Sequence, residues 1–274
     1  MNARLPIAIT IPHSGVSIPP ELVDRVTLTP EQIFNEADVY TDQIYDFRER
    51  VLHWQVFPYA RAILDVNRPQ GAHPFISADD GFIKRKTSYG ADVYAAGKAP
   101  DTTLEAHLIN TYWRDWHSTL AGIAADNRVK LVLDCHSMAA VGPSHYGDPS
   151  QPRPRITASN CGKIDGTLRS ADYPLTASPE LTRIAGEKFG ASLADVPELA
   201  PTTPAMLNTP FWMGYTIHLH GGKTQPWLMI ELSRALYIGE QTGDSPIVPP
   251  DATRIALLRE RIWEAIQAIV ETMN

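Results

Sequence analysis

The segment VKLVLDCHSM (residues 129–138) decides the fold class. An apolar run from Val129 to Leu133 leads directly into polar residues that include Asp134 and His136. Nearly continuous apolar runs are typical of strands that are covered on both faces, as in a mostly parallel sheet. Three further runs have the same pattern: Ile7 to Ile11 before His13, Ala62 to Val66 before Asn67 and Arg68, and Trp227 to Ile230 before Glu231.

Helical patterns fill the sequence between these runs. Thr29-Pro30-Glu31-Gln32 combines an N-cap, a first-turn proline and a capping-box glutamine. Further helices are predicted over 41–52, 104–125 and 178–195, and after the N-cap Asp251. Strands that alternate with helices predict an α/β fold, a three-layer α/β/α sandwich around a mostly parallel mixed sheet. In such sheets ligands bind beyond the carboxyl ends of the strands. The residues expected there are His13, Arg68, His136 and Glu231.

Composition limits the class of partner. The chain has 274 residues, with 24 Lys and Arg against 31 Asp and Glu, a net charge of −7. This balance, without a basic stripe, argues against nucleic acid and anionic membranes as partners. No apolar stretch is long enough for a membrane helix, so we expect a cytoplasmic protein. We also expect a single domain over 1–274, because one core can grow to about 250–300 residues, with a long loop insertion at about 142–176.

Two histidines that follow strands are candidate metal ligands. His13 lies in the turn of IPHSG, and His136 lies in LVLDCHSM. Catalytic zinc is commonly held by two histidines and one carboxylate, with one position left for water. The carboxylate can come from NEADVYTDQIYDF, which contains Glu36, Asp38 and Asp42. As alternatives, either histidine has a structural hydrogen bond, and Asp38 or Asp42 only caps a helix.

The segment RAILDVNRP can bind an anionic group of a substrate. The planar guanidinium of Arg68 can form two hydrogen bonds with a carboxylate, which suits a substrate with a free acid group. Arg61 is a weaker candidate for the same role. The alternative is a structural ion pair of Arg68 with Asp65, Glu36 or another carboxylate.

Glu231 ends an apolar run in PWLMIELSRALY, where an unpaired carboxylate costs several kcal/mol. A general base beside a metal needs a desolvated carboxylate of this kind, because burial raises its affinity for a proton. The alternative is a salt bridge with Arg234.

The remaining histidines and cysteines give weaker signals. His145, in the long loop, can reach a substrate as part of a lid. His218 and His220 alternate in YTIHLHGGK, so on a strand they would share one face, at a pocket or at an exposed edge. His117 lies among aromatic residues and is expected to be packed or to support a ligand. Cys135 is expected to point to the opposite face of its strand from the neighbouring histidine, so it is not a candidate nucleophile.

The chain resembles the N-formylglutamate amidohydrolases, a family distantly similar to the zinc carboxypeptidases. The resemblance covers about residues 7–240 and rests on an ordered set of short motifs. They are PHSG at 12–15, EAD and TDQIYDF within 36–47, ILDVNRP at 63–69, YWRDWHSTL at 112–120, LVLDCHSM at 131–138 and LMIELSRALY at 228–237. Signature motifs of serine hydrolases, zincins, dinucleotide enzymes and phosphate-loop enzymes are absent from the sequence.

This resemblance implies a zinc-exopeptidase-like fold and the hydrolysis of N-formyl-L-glutamate to formate and L-glutamate, a step of histidine catabolism. It implies one zinc ion held by His13, Asp38 and His136, with Asp38 favoured over Glu36 by its place in the motif. The implied substrate is a small acidic N-acyl amino acid.

The resemblance also assigns roles around the ion. Asn67 and Arg68 would bind a carboxylate of the substrate, Arg68 or the zinc would stabilise the oxyanion, and Glu231 would be the general base. A zinc hydrolase of another N-acyl amino acid or of a peptide fragment is a second hypothesis. A non-catalytic binding protein on the same scaffold is a third.

Overall fold

A six-stranded mixed sheet forms the centre of the computed structural model, which describes residues 4–71, 78–143 and 147–273. The strands are β1 Leu5–Ile11, β2 Val51–Val56, β3 Leu131–Met138, β4 Ile156–Ser159, β5 Met206–Leu207 and β6 Trp227–Ser233. Their order in the sheet is β2-β1-β3-β6-β4-β5. The pairing of β4 with β6 is antiparallel, and the other four pairings are parallel. The predicted mostly parallel mixed sheet is confirmed.

Helices cover both faces of this sheet. They are α1 Pro30–Glu36, α2 Thr41–Ile44, α3 Thr102–Leu108, α4 Arg114–Ala125, α5 Pro179–Leu193, α6 Tyr215–His220 and α7 Ala252–Glu271. A π-helical turn, Ile109–Trp113, joins α3 to α4. The apolar side chains of α2, α5 and α7 pack on one face of the sheet, and those of α3, α4 and α6 pack on the other. The three-layer α/β/α architecture is therefore confirmed.

The predicted helix starts agree closely with the structure. The side chain of Thr29 accepts a hydrogen bond from the backbone of Gln32, and the Gln32 side chain completes the capping box of α1. At the starts of α5 and α7, the side chains of Ser178 and Asp251 likewise accept a hydrogen bond from a backbone N–H of the first turn. These local signals work because they satisfy backbone N–H groups that the helix itself leaves without partners.

Two predicted elements are wrong. The run from Ala62 to Val66 is a buried turn, in which the N–H groups of Ile63 and Leu64 both donate to Ala60 O. The predicted helix over 41–52 ends at Ile44, and its last residues begin strand β2. In both places the apolar pattern predicted correctly that the side chains are buried, but not the backbone conformation. The side chains reach the core from a turn in the first case and partly from a strand in the second.

The region predicted as a long insertion, 142–176, contains strand β4, which pairs with β6 in the antiparallel direction. YTIHLH, considered as a strand, is instead helix α6. Within the described ranges, no helix has an apolar stretch long enough to span a bilayer. That the chain forms one domain stays a prediction.

Packing of α7 on the sheet makes a testable prediction. Leu258 is fully buried in the core, whereas its neighbour Leu257 is 39% exposed. Leu258→Ala should lower the free energy of unfolding by about 2–5 kcal/mol, because it leaves a cavity. Leu257→Ala should change it by less than about 1 kcal/mol. Urea unfolding followed by tryptophan fluorescence measures both; equal losses would contradict this packing.

Candidate metal centre and active site

Strands β3 and β6 place three acidic or imidazole side chains on one face of the sheet. Because side chains alternate along a strand, Asp134 and His136 share a face, and Cys135 lies in the core on the opposite face. His136 is directly opposite Glu231 in the parallel register of β3 and β6. Both side chains thus lie near the carboxyl ends of the two central strands.

His13 follows β1 at the same edge of the sheet. It lies in a turn where Gly15 packs against the backbone of Pro58 so closely that a Cβ atom there would be 2.2 Å from the carbonyl carbon. Only glycine fits this approach without a shift of the backbone. The carbonyl oxygen of His13 accepts a hydrogen bond from the N–H of Asp38 at 2.9 Å. The turn therefore fixes a histidine and an aspartate next to each other.

Asp38 lies in the irregular connection between α1 and α2, and several groups hold this connection. The hydroxyl of Thr41 donates to Asp38 O at 2.6 Å. Arg234, just after β6, donates to two carbonyls at the end of α1 at 2.7 and 3.2 Å. The hydroxyl of Tyr237 donates to Val39 O at 3.1 Å. A segment without regular structure is thus fixed against the end of β6.

Three ligand atoms converge at the edge of the sheet. The Nδ1 atoms of His13 and His136 are 3.1 Å apart, and Asp38 Oδ2 lies 3.4 and 3.1 Å from them. All three side chains are at most 2% exposed. Ligand atoms around a tetrahedral ion with bonds of about 2.0–2.1 Å are about 3.3–3.4 Å apart. The triangle therefore has the dimensions of three corners of a metal coordination sphere.

The second nitrogen of each histidine faces a buried carboxylate. His13 Nε2 is 2.7 Å from Asp65 Oδ1, and His136 Nε2 is 3.1 Å from Asp134 Oδ2. Thr10 donates to the other oxygen of Asp134 at 2.5 Å. Because a carboxylate accepts hydrogen bonds, each Nε2 carries the proton, and the Nδ1 lone pairs are directed at the shared point. Carboxylate–histidine pairs of this kind are the usual support of metal-bound histidines.

The electrostatics at this point favour a positive charge. Burial opposes ionisation of Asp38, yet the neighbouring imidazoles of His13 and His136 hold its pKa well below the usual value. Burial also opposes protonation of His136, but the nearby Asp134 carboxylate raises the pKa of that imidazole well above its usual value, so a proton competes with a metal ion for its Nδ1 atom. Asp38 Oδ1 is buried without a hydrogen-bond partner among the described residues. A cation at the centre of the triangle would satisfy all three groups.

The two other candidate carboxylates do not join the triangle, although Glu36 lines the same cavity as the two histidines. Glu36 is buried, and both of its oxygens accept a hydrogen bond from the N–H of Ser88 at 2.9 Å. Asp42 lies on α2, half-buried, beside a separate apolar cavity. Of the three acidic residues left open by the sequence, the structure brings only Asp38 to the two histidines.

Glu231 lies in the wall of the cavity that His13 and His136 also line. It is 7% exposed, and burial raises its pKa to about 7. No ion pair among the described residues joins it to Arg234, whose guanidinium donates to the carbonyls at the end of α1. A carboxylate with a proton affinity near neutrality can both accept and return a proton.

Asn67, Arg68 and Arg61 lie around the same cavity. Asn67 Oδ1 accepts a hydrogen bond from the N–H of Thr216 at 2.7 Å. Arg61 forms an ion pair with Asp65 at 3.0 Å. Arg68 Nε is 3.2 Å from a carboxylate oxygen of the 3₁₀ turn Ala78–Asp80, and its Nη1 is 3.8 Å from Asp65. Arg68 therefore lines the cavity and also forms structural ion pairs, so both roles that the sequence left open are compatible with its position.

The π-helical turn and helix α4 support the segment that contains Arg68. Trp113 Nε1 donates to Arg68 O at 2.8 Å, and His117 Nε2 is 2.9 Å from Val66 O. His117 Nδ1 is 2.9 Å from His220 Nε2. Burial lowers the pKa of both imidazoles to about 4. His117 is thus a neutral supporting group, as the sequence indicated, and π-helical turns often occur at functional sites.

Two further substrate residues were predicted, His145 and His218. His145 lies outside the described residues. His218 lies on α6 against Tyr173, with ring centroids 5.4 Å apart, and is not among the described residues that line the cavity.

Three residues of the site were missed by sequence reasoning. Asp134 could have been found, because it precedes His136 by two positions on a strand and so shares its face. Asp65 could not have been found, because its segment has the apolar pattern of a strand but forms a turn. Arg153 lines the cavity and is 3% exposed, but it comes from the region predicted as an irregular insertion.

Comparison with known proteins agrees with this geometry. The family model for N-formylglutamate amidohydrolase matches residues 5–238. An N-formylglutamate amidohydrolase from Ralstonia eutropha JMP134 has a similar structure, with a TM-score of 0.71 and 20% identity, over 99% of this chain and 94% of that chain. The gene product Atu2144 from Agrobacterium tumefaciens is similar with a TM-score of 0.60 and 15% identity, over 97% and 92%.

A metallo-carboxypeptidase from Burkholderia cenocepacia also matches, with a TM-score of 0.38 and 13% identity, over 98% of this chain and 58% of that chain. No curated protein sequence is detectably similar to this chain. The two closer structural likenesses establish the fold, and the family model covers most of the sequence. The chain therefore belongs to the N-formylglutamate amidohydrolase family and is a hydrolase of amide bonds.

Proposed function

We propose that this chain is a zinc-dependent amidohydrolase that converts N-formyl-L-glutamate and water to formate and L-glutamate. The observation that carries the proposal is the triangle of His13, Asp38 and His136 with Glu231 opposite His136 in the neighbouring strand. This arrangement combines a site for a cation with a carboxylate that can move protons. Family membership supports the substrate class.

The residues of the triangle fit zinc. Two imidazole nitrogens and one carboxylate oxygen are a donor set typical of catalytic zinc, and the distances suit a tetrahedral ion with one position left for a further ligand. When bound, zinc would polarise the carbonyl group of a substrate and increase the acidity of water. His13 and His136 would be held in the correct orientation by Asp65 and Asp134.

Glu231 would act as the proton carrier. Its carboxylate would accept a proton from the attacking water as the oxygen bonds to the formyl carbon. The same proton would then pass to the amide nitrogen as the C–N bond breaks, which releases the amino group of glutamate. Burial assists both transfers, because it raises the pKa of Glu231 to about 7.

The surroundings of Glu231 favour a small, acidic substrate. The cavity has a volume of about 130 Å³ and contains Asn67, Arg68, Arg61 and Arg153 in its wall. Guanidinium groups recognise carboxylates through paired hydrogen bonds. We assign the α-carboxylate of the substrate to Asn67 and Arg68, in agreement with the sequence motif. The cytoplasmic location and the place in histidine catabolism stay predictions.

Glu231→Gln tests the proton carrier. The variant should lower kcat on N-formyl-L-glutamate by about 10²–10⁴-fold, because an amide cannot accept the proton. Its zinc content, measured by atomic absorption, should stay at the wild-type level. Glu240→Gln, at an exposed position, is the matched control. Retention of turnover by Glu231→Gln would remove this residue from the mechanism.

Asp134→Asn tests the support of the metal ligand. Loss of the carboxylate that orients His136 should lower zinc affinity by about 10–100-fold, measured by competition with a chromophoric chelator. Asp172→Asn changes the same functional group at an exposed site and should leave the affinity unchanged. If the two variants bind zinc equally well, Asp134 does not support a metal ligand.

Arg68→Met tests the α-carboxylate site. It should raise KM by about 10–100-fold for N-formyl-L-glutamate and for N-formyl-L-glutamine alike, since both carry the α-carboxylate. Arg114→Met, an exposed arginine on α4, should have no such effect. Unchanged KM values in Arg68→Met would show that Arg68 has only a structural role in its ion pairs.

A panel of N-formyl, N-acetyl and peptide substrates, compared by kcat/KM, would distinguish N-formyl-L-glutamate from substrates with other acyl groups.

A further inference from the structure

Arg153 is a buried cation in the cavity wall without a role in the activity proposed above. It precedes β4, which is the strand that runs antiparallel to β6. Because of this direction, the start of β4 lies beside the carboxyl end of β6: Ile156 pairs with Leu232, and Ser233 N donates to Arg155 O at 3.0 Å. Arg153 therefore reaches the cavity from the β4 side of Glu231.

Arg61 and Arg68 lie on the opposite side of Glu231. His13 follows β1, and Arg61 and Arg68 pair with Asp65, which contacts His13. In the sheet, β1 and β4 are separated by β3 and β6. Glu231, on β6, thus has arginines on two sides of it, and the positive charges of Arg61 and Arg153 both act on its carboxylate.

The guanidinium of Arg153 is held in a fixed orientation. Its Nε and Nη2 atoms are 2.7 and 2.9 Å from the two oxygens of Asp148, which is a bidentate ion pair. The guanidinium carbon lies 4.9 Å from the centroid of the Phe211 ring. The side chain is therefore oriented before any ligand binds, which lowers the entropic cost of recognition.

One short segment links this arginine to the proposed α-carboxylate site. Phe211 lies beneath Arg153, and five residues later the N–H of Thr216 donates to Asn67 Oδ1. Phe211 and Met213 of this segment line the cavity. The cavity thus has an asparagine–arginine pair on one side of Glu231 and Arg153 on the other. A small molecule with two carboxylates can meet a cationic group at each of its ends.

We propose that Arg153 binds the side-chain carboxylate of an N-acyl dicarboxylic amino acid and thereby determines the preference of the site for acidic over neutral substrates. The inference rests on the proposed function, because it takes Asn67 and Arg68 as the site of the α-carboxylate. A role limited to stability explains less, since a buried ion pair contributes little net stability compared with apolar packing.

Arg153→Met tests this role through a ratio. The ratio of kcat/KM for N-formyl-L-glutamate to that for N-formyl-L-glutamine should fall by about 10–100-fold, because only the first substrate carries the side-chain charge. The two values come from the same preparation, so partial unfolding of the variant cancels. An unchanged ratio, whether both values fall together or neither falls, would overturn the proposal.

Arg155→Met is the matched control. Arg155 is two residues further along the chain, but it contacts Glu198 and the carbonyls at the end of α5, and it lines a different cavity. Its loss should lower stability and leave the substrate ratio at the wild-type value. A fall of the ratio in Arg155→Met equal to that in Arg153→Met would also overturn the assignment.

Calorimetry separates this inference from the proposed function. The zinc-loaded wild type should bind L-glutamate more tightly than L-glutamine, and Arg153→Met should bind the two alike. This preference can be present even if N-formyl-L-glutamate is not hydrolysed, in which case the proposed function fails and the role of Arg153 stands. Equal affinity of the wild type for both amino acids would overturn the role of Arg153 whatever the activity.

Discussion

The convergence of three lone pairs on one buried point is the constraint on which the site depends. The Nδ1 atoms of His13 and His136 and the Oδ2 atom of Asp38 lie within 3.4 Å of one another. In a medium of low dielectric constant, such groups repel each other unless a positive charge lies between them. Asp65 and Asp134 maintain the convergence, because they keep the proton of each imidazole on the far nitrogen. Binding of the proposed metal is therefore expected to be linked to the order of this part of the sheet.

Asp38, the proposed acidic ligand, shows how that constraint is met by a segment without regular structure. Asp38 has no strand or helix to position it, so its backbone is tied to His13, and the carbonyls around it accept hydrogen bonds from Arg234 and Tyr237. These donors follow β6, the strand that also carries Glu231. Asp38 and Glu231 are thus positioned by the same part of the chain. A substitution that displaces one of them is therefore expected to displace the other.

The cavity is asymmetric because the sheet is mixed. Parallel strands β1, β3 and β6 bring the metal triangle and Glu231 to one edge, and the antiparallel strand β4 returns the chain to that edge from the other direction. Arg153 enters the cavity through this return. An all-parallel arrangement at this position would place the start of β4 at the opposite edge of the sheet. The single reversed strand therefore supplies the wall that we assign to recognition of the second carboxylate.

The sequence by itself determined the features that depend on neighbouring residues. Continuous apolar runs identified β1, β3 and β6, capping residues identified the starts of α1, α5 and α7, and polar residues after the strands indicated His13, His136 and Glu231. These signals are local, since a strand period or a cap involves only a few consecutive residues. The tertiary structure decided which of three acidic residues joins the histidines, and it brought Asp65 and Arg153 to the site. The motif favoured Asp38, but only the folded chain shows its side chain beside both histidines. Asp65 and Arg153 reach the site through contacts between segments that are distant in the chain. The turn at 62–66 buries its apolar residues as fully as a strand would, so an apolar pattern alone does not distinguish a turn from a strand there.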